Sequence, residues 1–145
     1  MYQHLLIPTD GSQLSVAAVE NGMRFARDAG AKVTVVAVVE PFHAVSPDSE
    51  RLSETRSIYE RHARTAAERH LSEAERQAKV LGVRCELVQI EHEQPYKAII
   101  ETAANKGCDL IAMASHGRHG VSAMLMGSET VKVLTHSSTP VLVYR

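Results

Sequence analysis

Residues 5–39, L-L-I-P-T-D-G-S-Q-L-S-V-A-A-V-E-N-G-M-R-F-A-R-D-A-G-A-K-V-T-V-V-A-V-V, decide the fold of this chain. Leu5-Leu6-Ile7 is a short apolar run ended by Pro8, which reads as a strand buried on both faces. Thr9-Asp10-Gly11-Ser12 supplies turn and helix-start chemistry, with Ser12 as the N-cap. Behind it Leu14, Ala18, Gly22, Phe25 and Ala29 fall on one face at helical spacing, and Gly30 closes the helix. Lys32 to Val39 is β-branched almost throughout and predicts a second buried strand. A strand, a crossover helix and a strand of these lengths normally form a right-handed parallel unit, so a parallel sheet is expected.

The alternation continues along the chain. Residues 40–49, E-P-F-H-A-V-S-P-D-S, hold two prolines and no period and predict a surface loop. From about Ser53 to Leu81 one long helix is expected, with Ala63, Ala67, Leu71, Ala74, Ala78 and Leu81 as its apolar stripe. Its charges interleave, Glu60, Glu68, Glu73 and Glu75 with Arg61, Arg64, Arg69 and Arg76, so this face reads as solvated and self-compensating rather than as a nucleic-acid surface. Gly82 ends the helix, and Val83 to Leu87 alternates apolar and polar residues as an edge strand does. Pro95 fits the first position of another helix, with Ile99, Ile100, Ala103 and Ala104 facing inward and Gly107 at its end. A strand at Leu110–Met113, a glycine loop, a helix from about Ser128 to His136 and a strand at Val141–Tyr144 complete the pattern.

Five strands alternating with four helices indicate an α/β fold: a single-domain, doubly wound, five-stranded parallel sheet with helices on both faces, Rossmann-like in class. In such sheets ligands bind beyond the C-terminal ends of the strands, where strand order reverses. Two loops leaving strand C-termini carry both glycine and polar side chains, Thr9-Asp10-Gly11 and Ser115 to Gly120. If the strands before them are neighbours at the reversal, the loops meet over one crevice.

Bulk properties bound the function. The 145 residues suit one domain, 1–145, able to bury roughly 68–70% of its unfolded surface. No apolar run reaches the roughly 20 residues that span a bilayer, and the N-terminus lacks signal-peptide features, so a cytoplasmic location without membrane association is expected. A formal net charge of -1 provides no basic field for nucleic acid. Cys85 and Cys108 are far apart, form no C-x-x-C motif and read as core thiols.

The segment from Asp109 to Thr130, D-L-I-A-M-A-S-H-G-R-H-G-V-S-A-M-L-M-G-S-E-T, carries the functional signal. Glycines at 117, 120 and 127 let backbone N–H groups approach a ligand, and Ser128 opens a helix whose first N–H groups are unpaired. Phosphate is the natural occupant of such a place. A plain tight connection is the alternative use of a glycine loop. His116 and His119 stand three apart, but no Cys or further His lies nearby to complete a metal site. Ser122 and Ser128 lack a G-x-S-x-G context, and there is no G-x-x-x-x-G-K-[ST] phosphate loop.

At these residues the chain resembles the universal stress protein family, from the opening I-P-T-D-G-S to the closing P-V-L-V-Y-R. ATP-binding members of that family carry G-x-x-G, nine residues, then G-S or G-T. Here the pattern becomes Ala114-Ser115-His116-Gly117, nine residues from Arg118 to Met126, then Gly127-Ser128. The resemblance implies an adenine nucleotide alpha hydrolase-like fold, and ATP, ADP or AMP with Mg²⁺ as cofactors. Pro8, Thr9 and Asp10 would lie beside adenine and ribose, Asp10 accepting from a sugar or base donor or helping to hold the divalent ion. Val38, Met113 and Ala114 would wall the base, while Gly117, Gly120, Gly127, Ser128 and Thr130 would meet phosphates, with His116 close by. Ala114 replaces the first glycine, where a methyl group narrows the phosphate approach or requires φ < 0. Glu129 puts negative charge beside the phosphates, and Arg118 offsets it.

The resemblance further implies a homodimer through the apolar edge Val141–Tyr144, and a regulatory protein partner of unknown identity. Three functions follow: a nucleotide-binding regulatory protein, a dimeric interaction module without nucleotide, and a slow ATPase. The last lacks an obvious general base beside the glycine loop.

Overall fold

The computed structural model describes residues 1–42, 49–117 and 126–145, leaving aside the side chains of 49–53. Nine elements alternate along it: β1 (His4–Pro8), α1 (Gln13–Ala29), β2 (Lys32–Val39), α2 (Ser49–Leu81), β3 (Cys85–Glu91), α3 (Pro95–Lys106), β4 (Leu110–Ala114), α4 (Ser128–His136) and β5 (Val141–Tyr144). The strands form one sheet in the order β3-β2-β1-β4-β5, and every pairing is parallel. The chain walks outward from β1 to β3, then returns to place β4 against the other side of β1. Strand order therefore reverses between β1 and β4, where Leu5 pairs with Leu110 and Leu6 with Ile111.

Because side chains alternate along a strand, the sheet sorts its apolar residues into two cores. Leu5, Ile7, Val33, Val35, Leu110 and Ala112 point to the face covered by α1 and α2. Leu6, Val36, Ile111 and Met113 point to the face where Ile99 and Ala103 of α3 and Val133 of α4 pack. On α2 the expected stripe is in place: Ala67, Leu71, Ala74 and Ala78 are buried, with Ala63 and Leu81 partly so. Ion pairs such as Arg56–Glu60 and Lys79–Glu75 join its exposed charges along the helix.

Local signals hold at the helix ends. Ser12 accepts from the backbone N–H of Ser15 at 3.2 Å, and Gly30, at φ 69°, returns its N–H to Ala26 and Arg27. Four expectations need correction. The buried residues of α1 are Ser15, Ala18, Val19, Gly22, Met23 and Ala26, so Leu14, Phe25 and Ala29 flank the stripe rather than form it. Gly22 sets this rotation, because a Cβ there would stand 2.6 Å from Ile7 Cδ1. On α3 Ala98, Ile99, Thr102 and Ala103 are buried while Ala104 is exposed; alanine forms helix equally well on either face and so carries no direction. The edge strand β3 starts at Cys85, because Val83 lies in the turn that closes α2, donating its N–H back to Ala78 O at 2.9 Å. The helix α2 itself begins at Ser49, inside the expected loop, whose residues 43–48 lie outside the described ones.

At the N-terminal edge of the sheet, Asp109 clamps β1 to β4. Its carboxylate accepts from the N–H groups of Gln3 and His4 at 2.9 and 3.0 Å. Beside it the buried His4 holds Thr34 Oγ1 at 2.7 Å.

Candidate functional site

At the opposite edge a cavity of about 480 Å³ opens over the reversal between β1 and β4. Pro8, Thr9, Asp10, Val38, Met113, Ala114, His116, Gly117, Gly127, Ser128, Glu129 and Thr130 all line it. The two loops expected to meet over one crevice do so. Arg118, Gly120 and His119 lie outside the described residues.

The β1 loop is locked by its own polar groups. Thr9 N–H donates to Val36 O at 2.9 Å, and Asp10 Oδ1 accepts from Ser12 N–H at 3.0 Å. Asp10 reaches across to the β4 loop, where a Cβ on Gly117 would come within 2.6 Å of its Oδ2. Glycine at 117 leaves the space that the Asp10 carboxylate occupies. Gly127 meets the same loop from the other side: its N–H donates to Ser115 O at 2.7 Å, and a Cβ on it would stand 3.3 Å from His116 Cα. The glycines at 117 and 127, ten residues apart, are adjacent in space: Gly127 leaves room for the backbone of residues 115–117, and Gly117 for the Asp10 carboxylate.

Ala114 ends β4 opposite Tyr144, and among the described residues only glycines have positive φ. Of the two consequences of a methyl group at this position, φ < 0 is therefore met without strain. The Ala114 carbonyl accepts from the Thr130 hydroxyl at 2.9 Å, which ties the start of α4 to the strand and commits that proton within the protein. Glu129 has a structural partner that the sequence did not indicate. Its Oε2 accepts from the Tyr96 N–H at 2.9 Å, capping the first turn of α3, while Oε1 lies 3.4 Å from Lys132 Nζ.

His116 is only 7% exposed, and its Nδ1 is 3.0 Å from Ser115 Oγ. Among the described residues its Nε2 is buried with no hydrogen-bond partner. An orphaned buried polar atom costs about 1–3 kcal/mol, so a polar ligand that reached it would recover that energy. Among the described residues no group of three or more His, Cys, Asp or Glu could hold an ion, and His119 lies outside them. Of the residues that would serve Mg²⁺, Asp10 is the only one on the β1 loop with a carboxylate, and phosphate oxygens would have to supply other ligands. Burial pushes the thiols of Cys85 and Cys108 up to about 11, in keeping with core cysteines.

One wall of the crevice was not foreseen. Tyr59, Ala63, Ala66, Ala67 and His70 of α2 close it opposite Val38, and Glu40 stands at its rim. The sequence carried a faint sign of this, since the spacing 63, 66, 67, 70 places three alanines on one helix face. Small side chains there leave space between helix and sheet. A second hollow, between α1 and α2, shares Thr9 and His70 with the crevice, but its Arg76 is already paired with Glu73.

Comparison with known proteins agrees with this architecture. The model described as "Universal stress protein family" matches residues 1–145. A universal stress protein of Thermus aquaticus, from the 3′ region of a QAH/OAS sulfhydrylase, is 30% identical over 149 residues that cover all of both chains. Among solved structures, the hypothetical protein MJ0577 superposes with a TM-score of 0.81 at 24% identity, over 99% of this chain and 95% of its own. A universal stress protein in complex with cAMP superposes with a TM-score of 0.73 at 25% identity, over 99% and 97%.

Proposed function

The chain belongs to the universal stress protein family, and from that membership we propose that its crevice binds an adenine nucleotide, which biases a dimer or a partner contact rather than fuelling turnover. The observation that carries this reading is the meeting of the Thr9-Asp10 loop with the Ser115–Gly117 and Gly127–Ser128 backbone around one cavity at the strand reversal. The cAMP complex of a similar structure supports it. In this reading Pro8, Thr9 and Asp10 meet ribose and base, while Val38 and Met113 wall the adenine. Gly117, Gly127 and Ser128 receive phosphate at the N-terminus of α4, joined by Arg118 and Gly120, and His116 donates to or accepts from the ligand through Nε2. The nucleotide is ATP, ADP or AMP, with Mg²⁺ shared between its phosphates and Asp10 where the phosphate chain can hold one.

The homodimer would form through β5, whose apolar edge is covered by no other strand of the sheet, and Val131 and Leu134 of α4 add exposed apolar surface. No helix among the described residues is long and apolar enough to cross a membrane, and a cytoplasmic site of action is part of the proposal. The dimeric module without nucleotide draws its support from the carboxylates on the crevice wall. Calorimetry with adenine nucleotides, together with mass spectrometry of any small molecule released from purified protein, decides between the two. Wild-type protein is expected to bind and Gly127→Val to lose binding, because its branched side chain would enter the backbone of residues 115–117. Protein that neither carries nor takes up any adenine nucleotide overturns the reading.

A further inference from the structure

The crevice is poor in positive charge for a site that takes a phosphorylated ligand. Asp10, Glu40 and Glu129 place three carboxylates on its wall, and no Lys or Arg lines it among the described residues. The side chains outside that description add as much acid as base: residues 43–53 contain Asp48, Glu50 and Arg51, and residues 118–125 contain Arg118. Among the described side chains the wall therefore carries three carboxylates and no lysine or arginine.

Glu129 is the carboxylate closest in sequence to the phosphate cradle, immediately after Ser128, and it is held in place. Its bond to the Tyr96 N–H at 2.9 Å fixes one oxygen, and Lys132, on the same helix, lies near the other. Its charge therefore already answers the partial positive charge at the start of α4 that would otherwise be free to attract phosphate. What remains for a ligand is neutral donors: backbone N–H groups around Gly117 and in the first turn of α4, since the Gly127 N–H is already given to Ser115 O, and the Ser128 hydroxyl. Such donors suit one phosphate group well and compensate a polyphosphate poorly, since a terminal phosphate carries about −1.5 to −2 charges at neutral pH and each further phosphate in the chain adds about one more.

Resting on the adenine-nucleotide reading, we propose that this crevice selects adenine monophosphates, cyclic or open, over the metal-free triphosphate, and that Glu129 sets this preference. The carboxylates repel each added phosphate, whereas the base and ribose contacts with Val38, Met113 and the Pro8–Asp10 loop are common to all these ligands.

The test is calorimetric titration of the full chain with cAMP, AMP and ATP in the presence of EDTA, on wild type and on Glu129→Gln. Glutamine keeps an oxygen to accept from Tyr96 N–H and loses only the charge. The monophosphates are expected to bind wild type at least about tenfold more tightly than ATP, and Glu129→Gln to strengthen ATP roughly tenfold while moving cAMP less than about threefold. A measurement that needs no variant is the salt series on wild type. Raising sodium chloride from about 0.05 to about 0.5 M screens repulsion and is expected to narrow the gap between ATP and cAMP. ATP binding in EDTA as tightly as the monophosphates, or an equal shift of every ligand in Glu129→Gln, overturns the preference while leaving the nucleotide reading intact. Failure of wild type to bind any of the three sinks that reading, and the preference with it.

Discussion

The two edges of the sheet handle their polar groups in opposite ways. At the N-terminal edge, Asp109 accepts from Gln3 and His4, His4 meets Thr34, and Lys106 pairs with Glu86, so each polar group answers a neighbour. At the C-terminal edge, the buried His116 Nε2 has no partner among the described residues, and the backbone is brought together by glycines around a cavity. The same five strands supply both edges, so the contrast does not come from the sheet. It comes from the side chains placed beyond each strand end: side chains long enough to close on one another below, and glycine, serine and alanine above. Stability is expected to depend on the lower edge and ligand affinity on the upper one.

The largest expected effect breaks the lower edge alone. Asp109→Ala removes one carboxylate that serves two backbone donors on a neighbouring strand. Hydrogen bonds to charged groups contribute about 1.5–3 kcal/mol each, less where exposed, so a loss of about 2–3 kcal/mol is expected from urea unfolding at unchanged slope. Affinity for an adenine nucleotide at the far edge should stay within about twofold of wild type. A comparable loss of affinity in this variant would mean that the two edges are coupled.

A smaller effect on stability, of the opposite kind, is expected from Gly117→Ala. The added methyl would meet Asp10 Oδ2, while Oδ1 of that carboxylate is held by Ser12 N–H. The loops must part slightly, which costs about 1–3 kcal/mol of overpacking strain if they stay together and less if Asp10 swings away. Swinging Asp10 out of the crevice is expected to weaken nucleotide binding by roughly tenfold with under about 1 kcal/mol lost in unfolding. Calorimetry and urea unfolding on the same preparation separate the two quantities.

How far the sequence reaches follows the same division. Every strand and helix announced itself through β-branched runs, caps at Ser12 and Gly30, and Pro95 at a helix start, because these signals act within a few residues. The crevice needed strand order as well, which no local signal contains; only the pairing of β1 with β4 brings Asp10 to Gly117. Alanine carries little direction. Ala104 faces solvent where the core was expected, whereas Ala63 and Ala67 hold their expected place in the apolar stripe and also line the cavity with Ala66, because a methyl group suits core, surface and pocket alike. Glu129 was legible as a charge beside the phosphate cradle, but its bond to Tyr96, 33 residues away, depends on how α3 and α4 pack.

The finest test of the division is a pH dependence confined to the lower edge. Burial depresses the His4 pKa below its ordinary 6.5, and the nearby Lys32 depresses it further, against smaller opposing effects of Asp109 and Glu86. The unfolded chain therefore takes up a proton at this site before the folded one does. With more protons bound in the unfolded state, stability must fall as pH drops below about 6.5 and level off only once the folded-state pKa is passed. Asp109, whose two backbone donors outweigh the upward push of its burial and hold its pKa low, contributes stability that is lost only at more acidic pH, as its folded-state pKa is passed. Urea midpoints measured at about pH 7.5 and about pH 5.5 isolate the histidine. The drop between them is expected to shrink in His4→Gln, with nucleotide affinity unchanged at either pH. An undiminished drop would assign the acid sensitivity to groups other than His4.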